Sequence, residues 1–442
     1  MRRAAKVAGA AAALILPASS YVAYKYRLHH SSYYARHPNG FVDEPPPVPE
    51  NAVEKALYTL SRYITVYSIG QLSSIFHNLA NKPEVLDRHK LDRFIAFSRN
   101  GQPLVTVSNH ESMVDDPSGM STMVPHSVRM SPYRMRWGAC SEYQCYRRGE
   151  AFATMVTAGN TLPMQVGASM YQWGMAGLAD KLDEGEWVHL FPEGRIWQEF
   201  GKTRRREDGR WCLPSGRCSA PWLKLGPFKW GVGKLIANSA VVPIVVPYFT
   251  MGLSTFMPQR SKDDDLREDA PRFGSDITFK VGDPVEVADL IKAYHHAAIQ
   301  RAVQRQGERE AAAARGEPLV PATYTPTQRV GEDGVTPLAI SKDTWRYFTA
   351  DRWLDDAGSV AFPNRVTPDG RAVPGHIEPP LRVRPPDHHL LTEEQAREEE
   401  GHRLQLYADI TQRLWEAMAQ LEAEVREYRR GKGLGDLDDK QG

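Results

Sequence analysis

Two short apolar runs that end abruptly in polar, turn-forming sequence constrain this chain more than any other feature. Pro103-Leu104-Val105-Thr106-Val107-Ser108 follows a breaker, Asn100-Gly101, and reads as a short buried strand. Glu186-Trp187-Val188-His189-Leu190 reads as a second strand and opens into Phe191-Pro192-Glu193-Gly194-Arg195.

After the first strand comes Asn109-His110-Glu111-Ser112-Met113-Val114-Asp115-Asp116-Pro117. A histidine at a strand end is placed to project into a cleft. Asp116-Pro117 disfavours a continuing helix, so the chain is expected to turn and bring the Asp115 carboxylate back towards the His110 ring. The pair suits one kind of chemistry. A neutral imidazole can take the proton of an alcohol, which is a poor nucleophile at neutral pH, while a carboxylate fixes the tautomer and stabilises the imidazolium. Spacing alone is weak, because in a chain with 14 histidines about one such His-to-Asp pair arises by chance. A hydrogen-bonded structural histidine is the competing reading. The run Phe191-Pro192-Glu193-Gly194-Arg195 likewise reads either as an ordinary strand-end turn or as a phosphate contact, with backbone N–H groups and the planar Arg195 fork as donors.

Composition excludes several classes. A net charge of +1 gives no reason to expect a nucleic-acid partner. Cys140, Cys145, Cys212 and Cys218 are too few for a disulfide framework in 442 residues and are expected as small, neutral residues. No cysteine pair or histidine doublet has zinc-ligand spacing, so no metal is expected.

Organisation follows from local composition. The first 42 residues lack Asp and Glu, and an Ala-rich apolar stretch between Val7 and Val22 is short for a bilayer span. A mitochondrial presequence or anchor, a secretory signal and a buried helix all fit; targeting or anchoring is the expectation. A stiff linker, Glu44-Pro45-Pro46-Pro47-Val48-Pro49, closes a segment taken as residues 1–50. The globular domain is expected over 51–298, a partly mobile insertion over 299–391, and a helix over 392–431. That helix opens with capping-box spacing at Thr392 and Gln395. It carries Tyr407, Ile410, Leu414, Met418, Leu421, Val425 and Tyr428 as an apolar stripe, for the core or for a protein partner.

Between Leu225 and Val246 the chain is largely apolar but interrupted by Lys229, Lys234, Asn238 and Pro243. With Trp222, Phe228 and Trp230 near Lys229 and Lys234, the segment suits a helix lying in a membrane interface; a buried helix followed by a core strand fits equally. The basic run Lys202, Arg204, Arg205 and Arg206 is a second candidate for an anionic surface.

Several stretches together resemble the glycerolipid acyltransferase superfamily. They are Val107 to Ser112 with Asp115-Asp116-Pro117, Met135-Arg136-Trp137, Gly185 to Gly194, and Phe228 to Ala237. A weaker echo runs through Pro243 to Pro247 and Phe273 to Ile277. The likeness is greatest to the superfamily's mitochondrial phospholipid–lysophospholipid transacylases. It implies an α/β fold with a central mixed β-sheet flanked by helices, and catalysis by His110 with Asp115. It further implies substrate contact by Phe191, Pro192, Glu193, Gly194 and Arg195. Phospholipid and lysophospholipid substrates, a mitochondrial membrane location and no need for coenzyme A or metal follow from the same likeness. Two positions depart from the pattern. Glu111 replaces a usual Gln and adds a carboxylate near the proposed base, and Val166 stands where an arginine is common.

Overall fold

The computed structural model describes residues 51–95, 102–146, 150–164, 173–196, 225–258, 271–317 and 390–434, together with the strand residues 204–205, 211–212, 329–330 and 337–338. The N-terminal 50 residues, Lys202, Arg206, Trp222, Val166 and most of the expected insertion lie outside the described residues.

The chain opens with α1 (Ala52–Ala80), started by the Asn51 side chain, which accepts a hydrogen bond from the Glu54 N–H. There follow β1 (Lys82–Leu86), α2 (His89–Ile95), β2 (Leu104–Ser108), α3 (Met120–Met123), α4 (His126–Arg129), β3 (Gly138–Ser141), α5 (Glu150–Ala158), β4 (Thr161–Met164), α6 (Trp173–Asp183) and β5 (Trp187–Leu190). Two short strands, β6 (Arg204–Arg205) and β7 (Trp211–Cys212), pair with each other. Then come α7 (Gly231–Ala237), β8 (Ile244–Met251), α8 (Leu253–Phe256), β9 (Asp276–Val281), α9 (Ala288–Ala314) and α10 (Glu393–Gly431).

Five strands form the central sheet in the order β1-β9-β8-β2-β5, and only β8 and β9 run antiparallel. The expected mixed α/β sheet is therefore present. Both sequence-derived strands lie side by side in it. β2 and β5 are parallel and in register, with Val107 opposite Leu190, so they end at one level and deliver the His110 and Phe191 segments as neighbours. Carboxyl ends of parallel strands are where open α/β sheets build their sites.

Each face of the sheet has its own apolar cluster. Val105, Val107, Val188, Leu190, Val245 and Phe249 face Leu178 of α6, Val232, Leu235 and Ile236 of α7, and the apolar stripe of α10. Leu104, Trp187, Val246 and Tyr248 face Val66 of α1, Leu91 of α2 and the methionines of α3. Helix α10 has the expected capping box, and Tyr407, Ile410, Leu414, Met418, Leu421 and Val425 are all buried. Its stripe is thus turned to the core, not to a partner, and the Tyr428 hydroxyl reaches Glu84 at 2.5 Å.

Three further expectations are corrected. The domain boundary placed at 298 falls inside α9, whose 27 residues continue into the supposed insertion. Arg301 and Arg305 of that helix hold Glu399 of α10, with nearest N···O distances of 2.7 Å. Cys140 and Cys145 are joined as a disulfide linking β3 to the turn that follows. Finally, the proposed interfacial segment is largely interior. Phe228 is 2% exposed and Lys234 4%, because α7 is wedged between the sheet and α10. Gly233 permits this approach, since a Cβ there would lie 2.1 Å from the Tyr407 carbonyl oxygen. Only Lys229 and Trp230 of the proposed contacts that are described are exposed.

Candidate active site

The turn after β2 does what its sequence suggests. Asp116 is extended (φ −137°, ψ 123°), which breaks any helix and folds the chain back on itself. Asp115 Oδ2 lies 2.8 Å from His110 Nδ1 and also accepts the backbone N–H groups of Glu111 (2.7 Å) and Ser112 (2.9 Å). Three donors on one oxygen fix the carboxylate in place. Because Nδ1 donates its proton to Asp115, the outer ring nitrogen Nε2 of a neutral His110 is left as the proton acceptor. The His110 side chain retains 21% exposure, against 4% for Asp115. Burial pushes the Asp115 carboxyl up, and the His110 hydrogen bond opposes that rise.

Phe191 lies flat against the His110 ring, with centroids 4.0 Å apart and planes 14° from parallel. A π-face so placed favours the imidazolium that forms when the ring takes a proton. Behind Phe191, His189 meets its edge at 4.6 Å and stacks on Tyr248 at 5.3 Å. His189 is bound by Thr106 Oγ1 (2.9 Å) and the Tyr248 hydroxyl (3.1 Å), and burial pushes its pKa well down. It is a neutral structural histidine that holds Phe191 under His110.

Glu193 is not free to meet a substrate. Its Oε2 accepts the His110 backbone N–H at 2.7 Å and its Oε1 accepts the Gly226 N–H at 2.6 Å, so it ties both strand ends to the chain entering α7. Burial pushes its carboxyl up to about 8 against the pull of these two donors. Pro192 is buried beside it, with its carbonyl accepting the Lys229 N–H at 2.9 Å. Phe191, Pro192 and Glu193 therefore build the floor of the site. Gly194 and Arg195 remain half-buried at its rim, and the Lys229 side chain crosses Gly194, which has φ +67°.

Glu111 also turns away from the proposed base. Its carboxylate accepts the N–H groups of Gly252 (3.1 Å) and Leu253 (3.0 Å) and the Ser254 hydroxyl (2.5 Å), capping α8. Burial raises its pKa. Asn109 adds a second tie to this region, exchanging two hydrogen bonds with the backbone of Thr250 (2.8 and 2.9 Å). The buried Arg136 makes an ion pair with Asp116, next to Asp115. Arg136 lies in the stretch Met135-Arg136-Trp137, and nothing in the local pattern names Asp116 as its partner.

Residues 76–249 match the Acyltransferase family model, and that span contains β2, β5 and every side chain just placed around His110 except the α8 cap. Over that span the chain is similar to the acyltransferases that the model describes. The chain is similar to Tafazzin of Drosophila melanogaster, at 27% identity over 54% of this chain and 54% of that protein. It is similar also to Taffazin of Dictyostelium discoideum, at 29% identity over 44% of this chain and 58% of that one. N-acylphosphatidylethanolamine synthase of Arabidopsis thaliana matches at 29% identity over 51% of this chain and 71% of its own length. The chain spans little more than half the length of the Drosophila and Dictyostelium relatives.

Proposed function

We propose that this chain is a tafazzin-like phospholipid–lysophospholipid transacylase, which moves an acyl chain from a phospholipid to a lysophospholipid such as monolysocardiolipin and so remodels cardiolipin. The observation that carries the reading is the 2.8 Å contact between His110 Nδ1 and Asp115 Oδ2, which leaves Nε2 as a base on the open side of the ring.

In the forward step Nε2 takes the proton of the acceptor hydroxyl while its oxygen attacks the ester carbonyl of the donor lipid. The tetrahedral adduct then collapses. Its leaving glycerol oxygen receives the proton from Nε2, giving a new ester and a new lysophospholipid. Asp115 and the Phe191 face stabilise the transient imidazolium. Gly194 and Arg195 are the proposed contact for a lipid phosphate, in place of whatever an arginine at position 166 would supply. The exchange consumes no activated thioester, so coenzyme A is not required, and a histidine base needs no metal to take the hydroxyl proton. A mitochondrial membrane, with the site facing the intermembrane space, is the proposed location, resting on the family likeness and on the basic, Ala-rich start of the sequence.

Purified protein given monolysocardiolipin and phosphatidylcholine labelled in its acyl chain, with coenzyme A absent, should place label in cardiolipin. His110→Ala should lower that rate by about a thousandfold or more. Transfer seen only with acyl-coenzyme A would make the chain a thioester-dependent acyltransferase instead. The Arabidopsis relative's name supports one rival acceptor. Label arriving on the amine of phosphatidylethanolamine in preference to a lysophospholipid hydroxyl would replace the hydroxyl reading.

A further inference from the structure

Helix α1 is packed inside out for a helix on a water-facing surface. The residues it buries fully are Ser61, Arg62, Val66, Gly70, Ser74 and His77, of which only valine is a large apolar residue. The side it turns outward carries Tyr67, Leu72, Ile75, Phe76 and Leu79, with Leu79 84% exposed. From Tyr63 to Ala80 there is no Asp, Glu, Lys or Arg at all. At 29 residues the helix is long enough to span a bilayer, yet no described helix is apolar enough to do so, and its inner face is held to the fold.

The outward face extends beyond α1. Phe273, 68% exposed, meets Phe76 edge-on at 6.1 Å, and Tyr133 meets Tyr63 at 5.9 Å, with the exposed Met130 nearby in sequence. Beside these rings stand Arg272 and Arg134, both exposed. Apolar side chains, tyrosines and a rim of arginines are what a surface needs to sit between headgroups and acyl chains of an anionic bilayer. A cluster of exposed large apolar side chains of this kind marks an interaction site. Its place in the fold indicates the occupant. Helix α1 packs directly on the turn Asp115–Gly119 and on α3, through His77 Nδ1 and Thr122 Oγ1 at 2.7 Å, so whatever α1 lies on also lies beside the site.

We infer that the outer face of α1, with Met130, Tyr133 and Phe273, docks on an anionic phospholipid bilayer and presents the His110–Asp115 turn to lipids of the same leaflet. This rests on the reading of the substrates as membrane lipids, and it moves the contact away from α7. The protein lies on the membrane through this face and does not cross it there.

Flotation of the full chain with vesicles of phosphatidylcholine and cardiolipin tests the assignment. Leu72→Glu/Leu79→Glu should lower the bound fraction by about tenfold or more. Turnover on vesicle substrates should fall in parallel, while turnover on detergent-dispersed substrates stays at the parent level. Arg134→Gln/Arg272→Gln should weaken binding to cardiolipin-containing vesicles and leave the weaker binding to pure phosphatidylcholine unchanged. Unimpaired flotation of the glutamate variant at parental thermal stability would overturn the inference. So would a parent protein that elutes as a dimer which the variant splits, since the face would then belong to a second copy. Normal flotation of the parent without transacylation, lost in the variant, would leave the docking face standing and remove the proposed reaction instead.

Discussion

Helices α7 and α1 cover opposite faces of one sheet and are easily confused as sequences. Both are apolar, and α7 with its two nearby lysines and Trp230 has the more membrane-like composition. The structure reverses that ranking. Six of the seven residues of α7 are buried, Lys234 among them, whereas the uncharged second half of α1 shows water a row of large apolar side chains. Apolar content states that a segment avoids water; which partner removes it from water depends on the spacing of small residues. In α7, Gly233 lets α10 approach to backbone contact. In α1, Gly70 and Ser74 lie on the inner face, so the close approach is to the protein and the bulky residues are left outside. Both helices also reach the site. The chain entering α7 does so through Gly226 and Glu193 to the His110 N–H, and α1 through His77 and Thr122 to the turn that holds Asp115.

The sharpest way to break this contrast is to add one methyl group to each helix contact. Gly233→Ala would place its Cβ 2.1 Å from the Tyr407 carbonyl and 2.7 Å from Thr411 Oγ1, so α10 must move. A loss of about 3 kcal/mol is expected in urea unfolding. Gly70→Ala meets nothing nearer than the Arg129 side chain at 3.4 Å, and should cost about 1 kcal/mol or less. Equal losses would mean that α1 is held as tightly as α7. Next in size is Glu193→Gln, which turns an amide N–H₂ towards a backbone N–H that needs an acceptor. About 2 kcal/mol of stability should go, with turnover falling at least about tenfold as His110 loses its backbone anchor. The variant should also alter the pH dependence. Glu193 titrates higher folded, at about 8, than unfolded, so the folded protein binds more protons between about 4.5 and 8 and its stability falls as pH rises through that window. That part of the slope should vanish in Glu193→Gln.

Much of this was legible in the sequence, and the limits are physical. The strands at Leu104 and Trp187, the turn forced by Asp116-Pro117 and the stripe and cap of α10 were readable because each is set by residues close in sequence. The contact between His110 and Asp115 was readable for the same reason. The hydrogen bonds of Glu193 are not legible in the sequence, because its partners, the N–H groups of His110 and Gly226, are 83 and 33 residues away, and a carboxylate in a turn looks identical whether it faces solvent or two buried donors. Glu111 is the same case, with its cap supplied 141 residues further on. Phe191 was assigned to substrate contact, yet its stack on His110 depends on β2 and β5 being parallel and in register, which no local pattern specifies.

The last test probes the α1 side of the comparison and needs acid to reveal it. His77 is fully buried among Phe256 and Phe279, and burial lowers its pKa to about 4. The Thr122 hydroxyl donates to the Ser118 carbonyl at 2.9 Å, so it accepts from His77 Nδ1–H, and the other ring nitrogen is a lone pair without a hydrogen-bond partner. Protonating that nitrogen buries an unpaired charge. Between about 4 and 6.5 the unfolded chain therefore binds more protons than the folded one, and stability falls as pH drops through that window. At pH 5 the loss from this group should be about 2 kcal/mol. Within the same window Glu193 acts in the opposite direction and His189 in the same one, so the raw pH profile does not isolate His77. Subtracting the profile of His77→Asn, which can keep the donor to Thr122, does. A difference that grows steadily from pH 7 to pH 4.5 supports α1 as a fixed wall of the turn that holds Asp115. A difference that stays flat means that α1 opens to let solvent reach His77, and the helix would then hold the site far more loosely than α7 does.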